Sequence, residues 1–302
     1  MDRSRVIELL DRWIAEAAPD EGHRWVQEKQ EEIAGGAPSR VFYTSFSAVP
    51  RYTGKADLDL SAADRDAADE ARAGWRPGDW SVDQAGRTRL VLSLPSTDHD
   101  AYLATLDRVF THADMNESVA LYQTLPVLPY PEDHRARAAE GLRTNITAVF
   151  NAVALHNPYP AEQFDDGAWN QMVLKAVFVG SPLYAIQGID RRANAELARM
   201  LVDYAHERWA AGRSVTPELW RPVGPFAEGA MLDDLERVIT DGTAAEQQAA
   251  ALALAQSPAD RAATILDAHP ELRDALQRGA LTWGRLAREA MNAADHAIEN
   301  AA

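Results

Sequence analysis

Apolar side chains in this chain recur every three or four positions and almost nowhere alternate one for one. That spacing builds a single apolar stripe along a helix, whereas a half-buried strand needs period two. Val6, Leu9, Leu10, Trp13, Ile14 and Ala17 set the pattern, and Pro19 ends it. A second helix is predicted from Asp20 to Ile33, closed by Gly35-Gly36. Thr97-Asp98-His99-Asp100 reads as a cap before Tyr102, Leu103, Leu106, Val109 and Phe110. Ser181-Pro182, Thr216-Pro217 and Ser257-Pro258 each place a hydroxyl before a proline suited to a first helical turn. The nearest strand candidate, residues 90–94, reads better as a helix end halted by Pro95. The expected fold is all-α, built from stacked helical hairpins as either a HEAT-like α-solenoid or an irregular helical bundle. The expected organisation is a helical core over residues 1–228 and an alanine-rich C-terminal extension over 229–302.

Composition removes several function classes. A formal net charge of −16 leaves no basic face for nucleic acid or anionic lipid. There is no apolar run of about 18 residues, so no membrane insertion is expected. The opening residues carry Glu8, Asp11 and Arg12 where a signal peptide would be apolar, so a cytoplasmic location is expected. The chain has no cysteine, which excludes disulfides, thiolate metal sites and cysteine nucleophiles. Its eight histidines are scattered with no two inside five residues, so no helix carries a zinc pair. Glycine-rich phosphate loops and nucleophile elbows are missing as well. No metal and no cofactor is therefore expected.

Residues 143–192 are the most unusual stretch. Ile146, Val149, Phe150, Val153 and Leu155 make one segment apolar nearly all round, yet it carries Asn145, Thr147 and Asn151 and leaves through His156-Asn157-Pro158. Trp169, Met172, Val173, Leu174, Val177 and Phe178 repeat the arrangement around Asn170, Gln171 and Lys175. Gln171 and Lys175, four apart, share a helix face. Polar groups on a buried helix cost a few kcal/mol unless they find partners. They therefore either satisfy one another or line a ligand cavity. Three of the 30 basic residues are lysines, so Lys175 stands out chemically against 27 arginines. Tyr184, Arg191 and Arg192 follow closely enough to join such a cavity, with Asp190 pairing a neighbouring arginine or capping the next helix. Upstream, Tyr43-Thr44-Ser45-Phe46-Ser47 and Pro50-Arg51-Tyr52-Thr53-Gly54-Lys55 read as a polar, aromatic turn that can contribute Arg51. Trp75, Arg76 and Trp80 form a further cluster, read as packing.

Three stretches resemble the EboA family. They are Trp169-Asn170-Gln171-Met172-Val173-Leu174-Lys175-Ala176, then Gly180-Ser181-Pro182-Leu183-Tyr184 with Asp190-Arg191-Arg192-Ala193-Asn194, and Glu196 through Trp209 with Val223-Gly224-Pro225-Phe226. The resemblance is strongest over residues 140–226 and is not recognisable beyond about 230. It implies a bacterial protein encoded beside a prenyltransferase-like membrane protein, a sugar-isomerase-like barrel, a dehydroquinate-synthase-like enzyme and a metal-dependent hydrolase. Such a cluster serves the traffic or maturation of a secondary metabolite. The resemblance carries no catalytic residues.

The leading expectation is an accessory protein that binds a small polyhydroxylated or phosphorylated intermediate in a central cationic pocket. Lys175, Arg191, Arg192 and Arg51 would supply charge, and Asn145, Asn151, Asn170, Gln171, His156 and Tyr184 hydrogen bonds. Two alternatives differ in class. One is a lyase or isomerase with Lys175 as base or Schiff-base amine and His156 as proton carrier. The other is a helical scaffold for enzymes of the same gene cluster.

Overall fold

The computed structural model describes the backbone of residues 1–299 and the side chains of residues 1–292. The fold is all-α, 73% helical, and among the described residues there is no strand beyond one antiparallel bridge between Asp57 and Ser81. Two compact units divide the chain, Met1–Phe164 and Asp165–Ala302. The first holds α1 (Arg3–Ala17), α2 (Asp20–Ala34), α3 (Ser39–Thr53), α4 (Ala62–Ala71) and α5 (Val82–Leu92). It continues with α6 (His99–His112), α7 (Met115–Thr124), α8 (Arg135–Arg143), α9 (Thr147–Ala154) and α10 (Tyr159–Gln163).

Helix α5 organises the first unit. Nearly every side chain along it is buried, and α1, α2, α3 and α7 pack around it. A solenoid would pair each hairpin with its sequence neighbours. A fifth helix ringed by the first, second, third and seventh makes this unit an irregular bundle. Close approach is written into two glycines. A Cβ on Gly86 would meet Val49 Cγ1 of α3 at 2.8 Å, and one on Gly22 would meet the Tyr52 carbonyl oxygen at 2.2 Å.

The segment read as a turn from Tyr43 to Lys55 is helical almost throughout. Phe42, Ser45, Phe46, Val49 and Thr53 fall on one buried face of α3, and Arg51 lies on the exposed one. Pro50 sits inside this helix, where it cannot donate to the carbonyl four residues back. That carbonyl belongs to Phe46, and the Nε of Arg87 donates to it instead at 3.3 Å. Arg87 is 3% exposed, lies 5.6 Å from the centre of the Phe46 ring, and pairs with the equally buried Asp83. Ser81 Oγ donates to the second oxygen of Asp83 at 2.6 Å. A buried charge pair holds only when its remaining donors and acceptors are met, and here the proline-freed carbonyl and a hydroxyl meet them.

The second unit holds α11 (Asp166–Val179), α12 (Ala195–Ala210), α13 (Ala230–Asp241), α14 (Ala244–Gln256), α15 (Asp260–Asp267), α16 (Pro270–Gln277) and α17 (Trp283–Glu299). Helix α14 is its hub: it touches α13, α15, α16, α17 and the 3-10 turns Pro217–Trp220 and Gly224–Phe226. The boundary read at 228 follows the limit of the recognisable family pattern. Contact falls differently, since the alanine-rich segment packs on the turns that precede it; residues 300–302 lie outside the described residues. The three hydroxyl–proline signals do not cap long helices. Ser181-Pro182 and Thr216-Pro217 lead into 3-10 turns. Ser257 closes α14, its hydroxyl donating to the Ala227 carbonyl at 2.6 Å. The same dipeptide is also a turn signal, and turn geometry prevails at all three.

Arg87→Met leaves the Asp83 carboxylate buried without its cation and should cost about 3–5 kcal/mol in denaturant unfolding. Adding Pro50→Ala supplies an N–H for the Phe46 carbonyl and should return about 1 kcal/mol of that loss. An equal loss in the double variant would show that the carbonyl needs no replacement donor.

Candidate functional site

A recess of about 180 Å³ opens in the first unit, lined among others by Trp75, Arg76, Asp79, Gln123, Asn151 and His156. It shares Arg76, Asp79 and His156 with an outer chamber of about 400 Å³ edged by Arg65, Asp66 and Asp69. For scale, a dry cavity of roughly 150 Å³ admits a benzene-sized molecule. The lining comes from three chain segments, each held by its own bonds.

The first is the Trp75–Trp80 loop. The backbone N–H of Trp75 donates to the Arg72 carbonyl, and that of Gly74 to Asp69 Oδ1 at 2.8 Å. Arg72 itself is fixed by the Pro126 carbonyl at 2.9 Å and by Glu162. Pro77 begins a 3-10 turn, and Leu58 N–H donates to the Trp80 carbonyl at 2.9 Å. The two indoles meet edge to face with centres 5.9 Å apart, and Trp75 also packs on Trp13 at 5.6 Å. The second segment is α7 with its following turn, which carries Gln123 and Pro126. Thr124 Oγ1 lies 2.8 Å from Thr88 Oγ1, fastening α7 to α5.

The third segment is α9 and its exit. Asn157, 3% exposed, donates from Nδ2 to the carbonyls of Tyr122 at 3.1 Å and Ala152 at 3.0 Å, while its Oδ1 accepts from Tyr159 N–H. This clamp forces the preceding residue, His156, into the left-handed region at φ +53°. Such a conformation costs on the order of 1–2 kcal/mol for a non-glycine residue and persists only where its surroundings impose it. His156 is solvent-exposed on one side. The recess walls nevertheless crowd it, and desolvation pushes its pKa below the usual histidine range; Arg76 adds to that shift and Asp79 opposes it. The imidazole is therefore neutral near pH 7, with one nitrogen donating and the other accepting. Among the described residues, His156, Arg76 and Asp79 make no hydrogen bond or ion pair, although most other arginines are matched.

Of the ten residues expected to bind ligand, Asn151 and His156 line this recess. Arg51 and Asn145 are exposed elsewhere on the first unit. The other six belong to the second. Asn170 is buried but mated: it exchanges bonds with Asn194 at 3.1 and 2.8 Å, and Asn194 caps α12 through Leu197 N–H. Gln171 and Arg191 are exposed, and Lys175 is half-buried on α11 and engaged in an interaction. Gln171 and Lys175 thus differ in burial despite their four-residue spacing. Tyr184 donates its backbone N–H to the buried Glu218 at 2.9 Å. Arg192 bonds Asp166 at 2.9 Å and lies over the Trp169 ring. Asp190 pairs with neither neighbouring arginine but with both arms of Arg221 at 2.7 Å. Nor are the two apolar segments buried all round: Ile146, just before α9, is 46% and Phe178 of α11 74% exposed. Asp79 and Gln123 carry no sequence signal as site residues, while Trp75, Arg76 and Trp80 are visible there as a cluster around Pro77-Gly78. Among the described residues no group of three acidic, histidine or cysteine side chains is placed to hold a metal. No described helix is long and apolar enough to cross a membrane.

The His156 proton can be followed directly. Its NMR titration midpoint should fall below 6.5, rise in Arg76→Gln and fall further in Asp79→Asn. Because the folded value is depressed, the linked stability is full above the ordinary histidine value and is lost as pH falls through the lowered one. A midpoint at or above 6.5 would mean that the recess does not desolvate the ring.

No curated protein and no solved structure matches the chain. The family model described as Metabolite traffic protein EboA spans residues 6–224 of the 302, a stretch that includes every residue of the recess, and the chain belongs to the EboA family.

Proposed function

We propose that this protein is a cytoplasmic accessory of a secondary-metabolite traffic or maturation pathway, and that it holds a small polar intermediate in the recess of its first unit. What carries the reading is the trio at the mouth. Arg76, Asp79 and His156 have no partners of their own among the described residues, and they stand where the inner recess meets the outer chamber. A few converging polar groups over a largely apolar floor are what small-molecule sites use to orient a ligand. The strained backbone at His156 supports it further, since strain of this kind concentrates where a side chain must be aimed. This site takes the place of the pocket expected around Lys175, and it is not cationic: Arg76 is balanced by Asp79, and the outer chamber adds Asp66 and Asp69 against Arg65.

The test uses the full chain and a panel of hexoses, cyclic polyols and their monophosphates, followed by thermal shift and by the His156 ring signals. At least one member should raise Tm and move those signals. His156→Gly should weaken that binding tenfold or more while leaving the melting temperature unchanged or higher, because glycine removes the left-handed strain. Lys175→Met should leave binding unchanged. Undiminished binding in His156→Gly, or its loss in Lys175→Met, would move the site away from this recess.

A further inference from the structure

A second hollow, of about 290 Å³, lies against another face of α7 and shares no lining residue with the recess. Helix α7 turns Val119 and Gln123 to the recess and Met115, Ser118 and Tyr122, an i, i+3, i+7 row, to this hollow. Phe110 of α6, Ile146 just before α9 and Val149 within it add apolar wall. Tyr122 is 6% exposed and firmly seated. A Cβ on Gly141 of α8 would meet its Cζ at 2.6 Å, the Phe110 ring lies 5.1 Å away centre to centre, and its carbonyl accepts from Asn157. Its hydroxyl bonds to nothing among the described residues, yet it is not sealed from the hollow. Tyr130 and Tyr159, by contrast, each donate to a carbonyl at 2.5 Å. The Tyr102 hydroxyl is unmet too, but it is sealed in the interior and borders neither hollow.

Charge decides what could sit there. The three charged side chains lining the hollow, Asp114, Arg137 and Glu140, are all committed within the protein. Arg137 lies over the Phe110 ring and pairs with Asp107 and, at 2.8 Å, with Glu140. Asp114 accepts from the Glu117 N–H at the start of α7, and Glu117 returns the bond. An ion entering the hollow would give up water for walls that hold no free counter-charge, which is costly. A neutral body avoids that cost. Desolvation pushes the Tyr122 pKa up to about 12, so the phenol stays protonated near pH 7 and can donate. The volume is about twice the roughly 150 Å³ that admits benzene, enough for a substituted single ring. We propose that this hollow is a second binding site, for an uncharged ligand with an apolar body and an acceptor that meets the Tyr122 hydroxyl.

Four probes on one apolar body separate the alternatives. 4-tert-Butylbenzamide and 4-tert-butylbenzyl alcohol are neutral, whereas 4-tert-butylbenzoate and 4-tert-butylbenzylammonium are charged. Each is titrated into the full chain while the Met115 and Ile146 methyl signals and the His156 ring are followed by NMR. At least one neutral probe should move both methyl signals and bind about tenfold tighter than either ion. Tyr122→Phe should weaken that binding about fivefold with Tm unchanged or higher, because the hydroxyl it removes bonds nothing in the free protein. Ile146→Asp, at an exposed position, should weaken it about tenfold by setting an unmatched charge beside the apolar body. Equally tight binding of either ion, or undiminished binding in Tyr122→Phe, would overturn the assignment. So would neutral probes that move the His156 ring alone, which puts them in the recess, or that move no signal at all.

Discussion

One buried arginine holds the first unit's architecture in place. Arg87 answers three demands at once: the Asp83 carboxylate, the Phe46 carbonyl that Pro50 has released, and the face of the Phe46 ring. Each alone would be a liability in an apolar interior, and together they cancel. The result pins α3 to α5 where Gly86 already lets the backbones come close. From α5 the connection runs through the Thr88–Thr124 contact to α7, and from the Tyr122 carbonyl through Asn157 to the exit of α9. The histidine at the recess mouth is therefore tied to the central helix by a short series of buried bonds.

That arrangement explains why loops carry the candidate site. The helices supply rigidity, while Trp75–Trp80 and Leu155–Asn157 supply backbone shapes that a helix cannot adopt. The Asn157 side chain directs its bonds to three main-chain groups, so its contribution is the direction in which its neighbour points. Local charge is nearly balanced at the recess although the chain as a whole carries −16. The overall acidity consequently says little about the ligand.

Periodicity makes most helices legible. The stripe of α1, the Pro19 stop and the Asp98 cap of α6 follow local rules and are found where those rules put them. Helix α3 escapes because Pro50 reads as a breaker, and the group that compensates for it lies 41 residues away. The site is harder for the same reason. Sequence displays residue types, so Asn170 is visible as a polar group on an apolar helix, but Asn194, which satisfies it, is a matter of tertiary contact. Trp75, Gln123 and His156 meet across three segments, and no spacing rule links them. His156 stands out from its position at a helix end, whereas its left-handed backbone comes from the clamp beside it.

The hub of the second unit has an unusual vulnerability. Ala249, Ala250, Ala251 and Ala253 are buried on several sides of α14, and the backbone of Ala253 sits where a Cβ on Gly224 would come within 2.8 Å. Trimming a methyl group leaves only a small void, so loss of volume at these positions is comparatively cheap. Growth is not, because a bulkier side chain has a neighbouring helix or turn to displace in nearly every direction. Variation along this helix is thus bounded from above: its alphabet is restricted to the smallest residues by the crowd around it.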